Sequence, residues 1–265
     1  MAVFETPSQS PAQRVRAAHP GSGRVASAPG TWVLIGENVD HFGGVTLAGT
    51  AALRAAAAVS PRPDRVVSVS ARGPLGQEFS AQLPFDEEPA DGLARRWWGL
   101  VHTLVQRQVL SRDTAGVDIT VESDVPVGAG LGALYAADAA IALALAGAHD
   151  DVDTAPFRAR LAEICSHAMT TYSSLPVLRA RHSVALRGAE GVSVVDYADG
   201  SLTQAPHPSR HGVRVFSVAA GLGAPFAESR EAIAAHRAFI DAACTNFGVA
   251  SVSYTHLTLP TICSV

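Results

Sequence analysis

Between Val117 and Ala146 the sequence changes its hydrophobic period, and that change limits the folds open to the chain. Val117-Asp118-Ile119-Thr120-Val121-Glu122-Ser123 alternates apolar and polar residues, as a half-buried strand does. Asp124-Val125-Pro126-Val127 then leads into Gly128-Ala129-Gly130, after which residues 131–146 form an Ala-rich helical run. A strand, a glycine loop and a long apolar helix in succession require a sheet with a helix packed against it. Around this unit, strands are expected at 31–35, 65–70, 78–83, 192–196 and 213–218. Pro61 and Pro63 are expected to mark a turn. Helices are expected at 10–18, 94–110, 154–172 with Thr154 as N-cap, 177–186 and 229–247. Without a strict alternation of strand and helix, the expected class is α+β rather than a doubly wound sheet.

Composition excludes several function classes. The net charge of −4 gives no basic footprint for nucleic acid. No apolar run approaches the ~20 residues a membrane helix needs, and residues 1–20 lack the apolar centre of an export signal. A cytoplasmic protein is therefore expected. Cys165, Cys244 and Cys263 have neither metal-ligand spacing nor a disulfide framework. All 20 basic residues are arginine, which excludes a P-loop lysine, a kinase strand lysine and a Schiff-base lysine. The ten histidines contain no HExxH pattern, and no GxSxG elbow is present.

The stretch from Ala28 to Gly44 is the first candidate site. A Pro-Gly turn is expected at Pro29-Gly30, then an apolar strand, then a break at Gly36 that delivers Glu37, Asn38 and Asp40 onto a loop. The second candidate is Gly128-Ala129-Gly130-Leu131, whose backbone N–H groups at a helix start suit a phosphate. Lesser features read as structural. Cys165 lies on an apolar helix and reads as core. Trp98 stands beside an apolar helical face where its indole could be exposed. His182 beside Arg181 reads as an exposed loop pair, and Asp86-Glu87-Glu88 as a solvated turn.

Taken together, Ala28-Pro29-Gly30, Leu34-Ile35-Gly36-Glu37, Asp40 and Gly43-Gly44 resemble the first signature of the galactokinases. Residues Val125 to Leu131 resemble the second signature, shared with the wider GHMP kinase superfamily. The motifs occur in family order, and the helix at Arg14–His19 is also galactokinase-like. The resemblance implies a two-domain GHMP architecture: a ribosomal-S5-like N-terminal domain over 1–175, followed at 176–251 by the start of an incomplete C-terminal domain. Residues 252–261 match the translation of a sequencing-library adapter, and that reading extends to residues 252–265 as a whole. They are read as an appended tail after which the natural chain would differ, leaving the family's third signature beyond Ser251.

The resemblance also implies ATP-dependent phosphorylation of galactose with Mg²⁺. Glu37 and Asp40 stand at the family's sugar-contacting carboxylates, and Asn38 replaces a histidine there. His41 and Phe42 replace a tyrosine and a polar residue, and Ile233 falls at a later sugar-contacting tyrosine. Gly128, Ala129, Gly130 and Leu131 stand at the nucleotide loop. The departures fall on chemistry. Thr31 replaces the arginine that stabilises the transferring phosphoryl group. Gly132, Ala133 and Leu134 replace three serines that help hold Mg²⁺ and phosphate, and none offers an oxygen ligand. Arg181 falls at the catalytic aspartate and cannot act as a base. No catalytic residue of the usual mechanism is therefore retained; ATP remains a possible ligand and Mg²⁺ a doubtful one. Three readings stand at this point: a degenerate kinase that binds galactose or a related monosaccharide or regulates, an active sugar kinase with a rearranged site, or an interaction protein or decaying gene product without a ligand.

Overall fold

A computed structural model describes residues 8–19, 23–37, 39–40, 43–174, 177–189, 191–218 and 227–248. Asn38, His41, Phe42, the side chain of Ile233, Cys263 and the adapter-like residues 252–265 lie outside the described set. The elements run α1 (Pro11–Ala18), β1 (Arg24–Ile35), β2 (Val45–Arg62), β3 (Val66–Arg72), β4 (Glu78–Pro84), α2 (Gly92–Gln106), β5 (Gly116–Ser123) and α3 (Ala133–Ala146). They continue with α4 (Ala155–Tyr172), α5 (Arg179–Arg187), β6 (Val192–Asp196), β7 (Leu202–Ala205), a 3₁₀ turn (Pro208–His211) and α6 (Ala227–Phe247). The mixed helix and strand class matches the sequence expectation.

The seven strands form one sheet in the order β4-β3-β5-β2-β6-β7, with β1 along the other edge of β2. Only β3 and β5 run parallel; the remaining pairs are antiparallel. Because β6 pairs with β2 and β7 with β6, residues on both sides of 175–176 share this sheet.

The longest strand, β2, had no counterpart in the sequence reading. Its Ala55-Ala56-Ala57-Ala58 run favours helix by intrinsic propensity. Alternation decides otherwise, because in a strand successive side chains face opposite sides. Ala56 and Ala58 pack with Val15 of α1, whereas Ala55, Ala57 and Val59 join the main core beneath the other helices. A strand covered on both faces needs no polar alternation. Pro61 belongs to this strand, opposite Val117, so the turn expected at Pro61 and Pro63 begins only after Arg62.

The main core gathers Trp97, Leu100, Leu104, Ile119, Ile141, Leu161 and Met169, all 2% exposed or less. Trp98 is buried rather than exposed: its Nε1 donates to the Pro84 carbonyl at 3.1 Å and its ring stacks on His102. Cys165 is core as expected, and burial pushes its thiol pKa well up. Thr154 caps α4 by accepting from the Phe157 amide. The acidic turn is solvated, with Asp86 paired to Arg65 and Glu88 to Arg95. Residues 213–218 form no strand; Val213, Val215, Phe216 and Val218 are exposed in this segment. No helix among the described residues is long and apolar enough to cross a membrane.

Candidate functional site

The Ala28–Gly44 stretch does not begin with a turn. Pro29 and Gly30 lie inside β1, where Pro29 stands opposite Arg54, and the register slips between Pro29 and Thr31. Such a bulge re-aims the strand, and it brings Thr31 against the glycine loop. The Thr31 amide donates to the Leu131 carbonyl at 2.9 Å. Gly30 is required by the same approach, since a Cβ there would come within 2.9 Å of the Leu131 oxygen. The two signatures, a hundred residues apart in sequence, are thus held together by backbone.

Residue Arg14 braces the approach to the loop. Its Nε donates to Glu122 at 3.0 Å and its Nη2 to Asp124 at 2.7 Å, tying α1 to the end of β5. Beyond Asp124, the loop turns through Gly128, Gly130 and Gly132, all at positive φ. Helix α3 then starts with Gly132 as N-cap and no side-chain capping bond. Its first amides are therefore free of the usual side-chain acceptor, as an anion-binding helix start requires. Ser217, which sequence reading had placed in a strand, donates its hydroxyl to the Ala129 carbonyl at 2.9 Å.

At the centre lies Arg181 of α5, 7% exposed. Its Nη1 donates to the Thr31 carbonyl at 2.7 Å and to the Gly130 carbonyl at 3.0 Å, and its Nη2 to Glu37 Oε1 at 2.8 Å. One guanidinium therefore joins the first signature, the glycine loop and a proposed sugar carboxylate. Gly132 makes room for it. A Cβ at Gly132 would lie 2.7 Å from Thr31 Oγ1 and 3.1 Å from Arg181 Nη1, besides facing strain at φ +64°. Thr31, Gly132 and Arg181, three positions that depart from the galactokinase pattern, meet at one point.

Glu37 keeps an exposed rim position, whereas Asp40 is 7% exposed. Asn38 lies outside the described residues. Tyr197, just after β6, was missed by sequence reading because nothing nearby marks it. Its hydroxyl is buried beside the Thr46 hydroxyl. Burial and then the charge of Asp40 raise its pKa, which places the phenol near that carboxylate.

Behind Arg181 the chain carries a second charged group, fully enclosed. His182, expected on an exposed loop, is 0% exposed on α5. Its Nε2 lies 3.2 Å from Asp138 Oδ2 and its Nδ1 3.1 Å from Ser166 Oγ. The pairing suits the neutral tautomer with Nε2–H donating to the carboxylate and Ser166 donating to Nδ1. Asp138 also receives both arms of Arg96 and the Trp97 indole N–H at 3.0 Å. Burial opposes the Asp138 carboxylate, but Arg96 and His182 outweigh it and its pKa lies below the ordinary value. For His182 burial dominates and lowers the pKa. The Tyr135 ring separates the two clusters, with the Arg96 and Arg181 guanidinium carbons 5.6 and 5.9 Å from its centre.

Comparison with known proteins now bears on this geometry. Residues 14–61 match the family model described as the galactokinase galactose-binding signature. Galactokinases of Chloroflexus aurantiacus and Chloroflexus aggregans are each 32% identical, over 125 and 120 residues. These matches cover 46% and 44% of this chain, which spans about 30% of the length of either relative. Among solved structures, Lactococcus lactis galactokinase complexed with galactose aligns with TM-score 0.55 at 16% identity, over 74% of this chain and 50% of that one. Methanococcus jannaschii mevalonate kinase aligns with TM-score 0.53 at 13% identity, over 72% and 58%. The signature match begins at Arg14 and ends within β2; over part of their length this chain is similar to the galactokinases, and it shares its fold with galactokinase and mevalonate kinase.

Proposed function

We propose that this protein binds galactose or a related monosaccharide at Glu37, Asn38 and Asp40 and does not phosphorylate it by the family's usual route. The observation that carries the reading is the position of Arg181. Its guanidinium is bound to Thr31, Gly130 and Glu37, between the loop and the sugar carboxylate. A base is needed there to accept the sugar hydroxyl proton, and a guanidinium cannot supply one. Phosphoryl transfer rests on positioning and charge stabilisation. Three of the five N–H groups of Arg181 are already donated to protein oxygens, two from Nη1 and one from Nη2.

ATP fits the residues better than its metal does. Gly128, Ala129, Gly130 and Leu131, with the uncapped start of α3, would hold phosphate oxygens through backbone N–H groups, and bound ATP would supply the phosphoryl group. Mg²⁺ needs oxygen ligands, and Gly132, Ala133 and Leu134 offer no side-chain oxygen. Asp138, on the same helix, is committed to Arg96 and His182. No step through Mg²⁺ is derived. A regulatory or sugar-sensing role follows if binding persists without turnover.

Galactose titration into the full-length protein, followed by thermal unfolding, tests the binding half. Ligand that binds only the native state raises the melting temperature with concentration. The expected result is a galactose-dependent rise that disappears in Asp40→Ala. No rise at any galactose concentration would defeat the reading.

A further inference from the structure

A second cavity of about 530 Å³ opens where β1, β2, the start of α4, the end of α5 and β7 meet. It shares no residue with the cluster around Arg181. Its wall carries three arginines, Arg54 of β2, Arg158 of α4 and Arg187 of α5, against one carboxylate among the lining residues, Asp153. Asp153 is already paired with Arg158 at 2.5 Å.

The other two cations meet only neutral groups among the described residues. Arg54 donates from Nε to Ser27 Oγ at 3.2 Å and from Nη2 to the Ser27 carbonyl at 3.1 Å. Arg187 donates from Nη1 to the Gly200 carbonyl at 3.3 Å. These partners orient the guanidinium groups without neutralising them. Desolvation lowers the Arg54 pKa, the direction expected of a cation with no carboxylate beside it. Ala155, in the first turn of α4, also lines the space, so that helix adds the positive end of its dipole.

We propose that this cavity is a binding site for a small phosphorylated anion, held by Arg54 and Arg187. Planar guanidinium forks match phosphate oxygens in pairs, and two uncompensated cations suit a dianion. The volume falls within the range of small-molecule pockets and exceeds what inorganic phosphate alone would fill. The ligand class is therefore a phosphate ester or a diphosphate. The site is independent of the sugar-binding proposal, since neither its residues nor its chemistry involve Glu37, Asp40 or Arg181.

Inorganic pyrophosphate is the probe, with galactose 1-phosphate and AMP as separate arms that distinguish a sugar phosphate from a nucleotide. Binding is read by ³¹P line broadening and by calorimetry on the full-length protein at fixed ionic strength. Arg54→Gln and Arg187→Gln should each weaken pyrophosphate at least ten-fold while circular dichroism shows the fold retained, and Arg181→Gln should leave it unchanged. Two separate variants keep the test valid if one fails to fold. Absence of binding at millimolar pyrophosphate, or binding kept at full strength in both cavity variants, as binding at the glycine loop would give, would overturn the proposal.

Discussion

Around the Tyr135 ring, arginine meets carboxylate twice, in opposite surroundings. Arg96 and Asp138 are fully enclosed, with His182, Ser166 and Trp97 completing their hydrogen bonds. Arg181 and Glu37 pair at the rim, where the Glu37 side chain is 45% exposed. Adjacent residues of α5, Arg181 and His182, serve the two clusters. In the enclosed pair each charge depends on the other, because nothing else could solvate it. At the rim, water and ligands can reach Glu37, although Arg181 itself is buried. The enclosed cluster fixes α5 against α3 and α4, whereas the rim cluster is the one proposed to meet the sugar.

Breaking the enclosed pair should produce the largest effect. Asp138→Ala leaves Arg96 and His182 without their common partner and is expected to cost about 3–5 kcal/mol, read as a drop in the denaturant midpoint. A loss as small as that of a surface substitution would erase the distinction between the clusters. Arg181→Gln should be milder. It removes bonds to two carbonyls and Glu37, costing about 1–3 kcal/mol, and it frees Glu37 to accept sugar hydroxyls. Galactose affinity should accordingly hold or rise by up to about five-fold, the scale of an exposed ion pair; a sharp loss in calorimetry would show that Arg181 contacts the sugar.

The smallest expected effect is on pH dependence. Burial lowers the pKa of His182, and of His102 beside Phe85, below the ordinary histidine value. Between the lowered folded values and about 6.5, the unfolded chain binds more protons. Stability should fall as pH drops through that window, with a slope of up to about 1.4 kcal/mol per pH unit for each histidine. His182→Gln, measured by chemical unfolding from pH 7.5 to 5, should flatten the profile without abolishing it, because His102 remains. An unchanged slope would mean His182 is not the buried neutral base described.

Much of this was legible in sequence where local pattern and tertiary need agree. The change of period at Val117–Ala146 located β5, the loop and α3, and the family resemblance implied that Thr31, Glu37 and the glycine loop serve one site. Other features needed the fold. The alanine run of β2 falls in no element of the sequence reading, because strand conformation there comes from packing between α1 and the core. Residues 213–218 alternate like a strand but find no partner among the described residues. His182 sits beside Arg181 yet points into a different cluster, since neighbours on a helix point about 100° apart. That Gly132 yields space to Arg181 becomes visible only when α3 and α5 are brought together.

Arg181, held by Thr31, Gly130 and Glu37, is proposed to leave the sugar site without phosphoryl-transfer chemistry. The most direct measurement is ³¹P NMR of the full-length protein with ATP, Mg²⁺ and galactose, followed over hours. The account predicts no galactose 1-phosphate above the enzyme-free control. Steady formation of galactose 1-phosphate with matching ADP would contradict it.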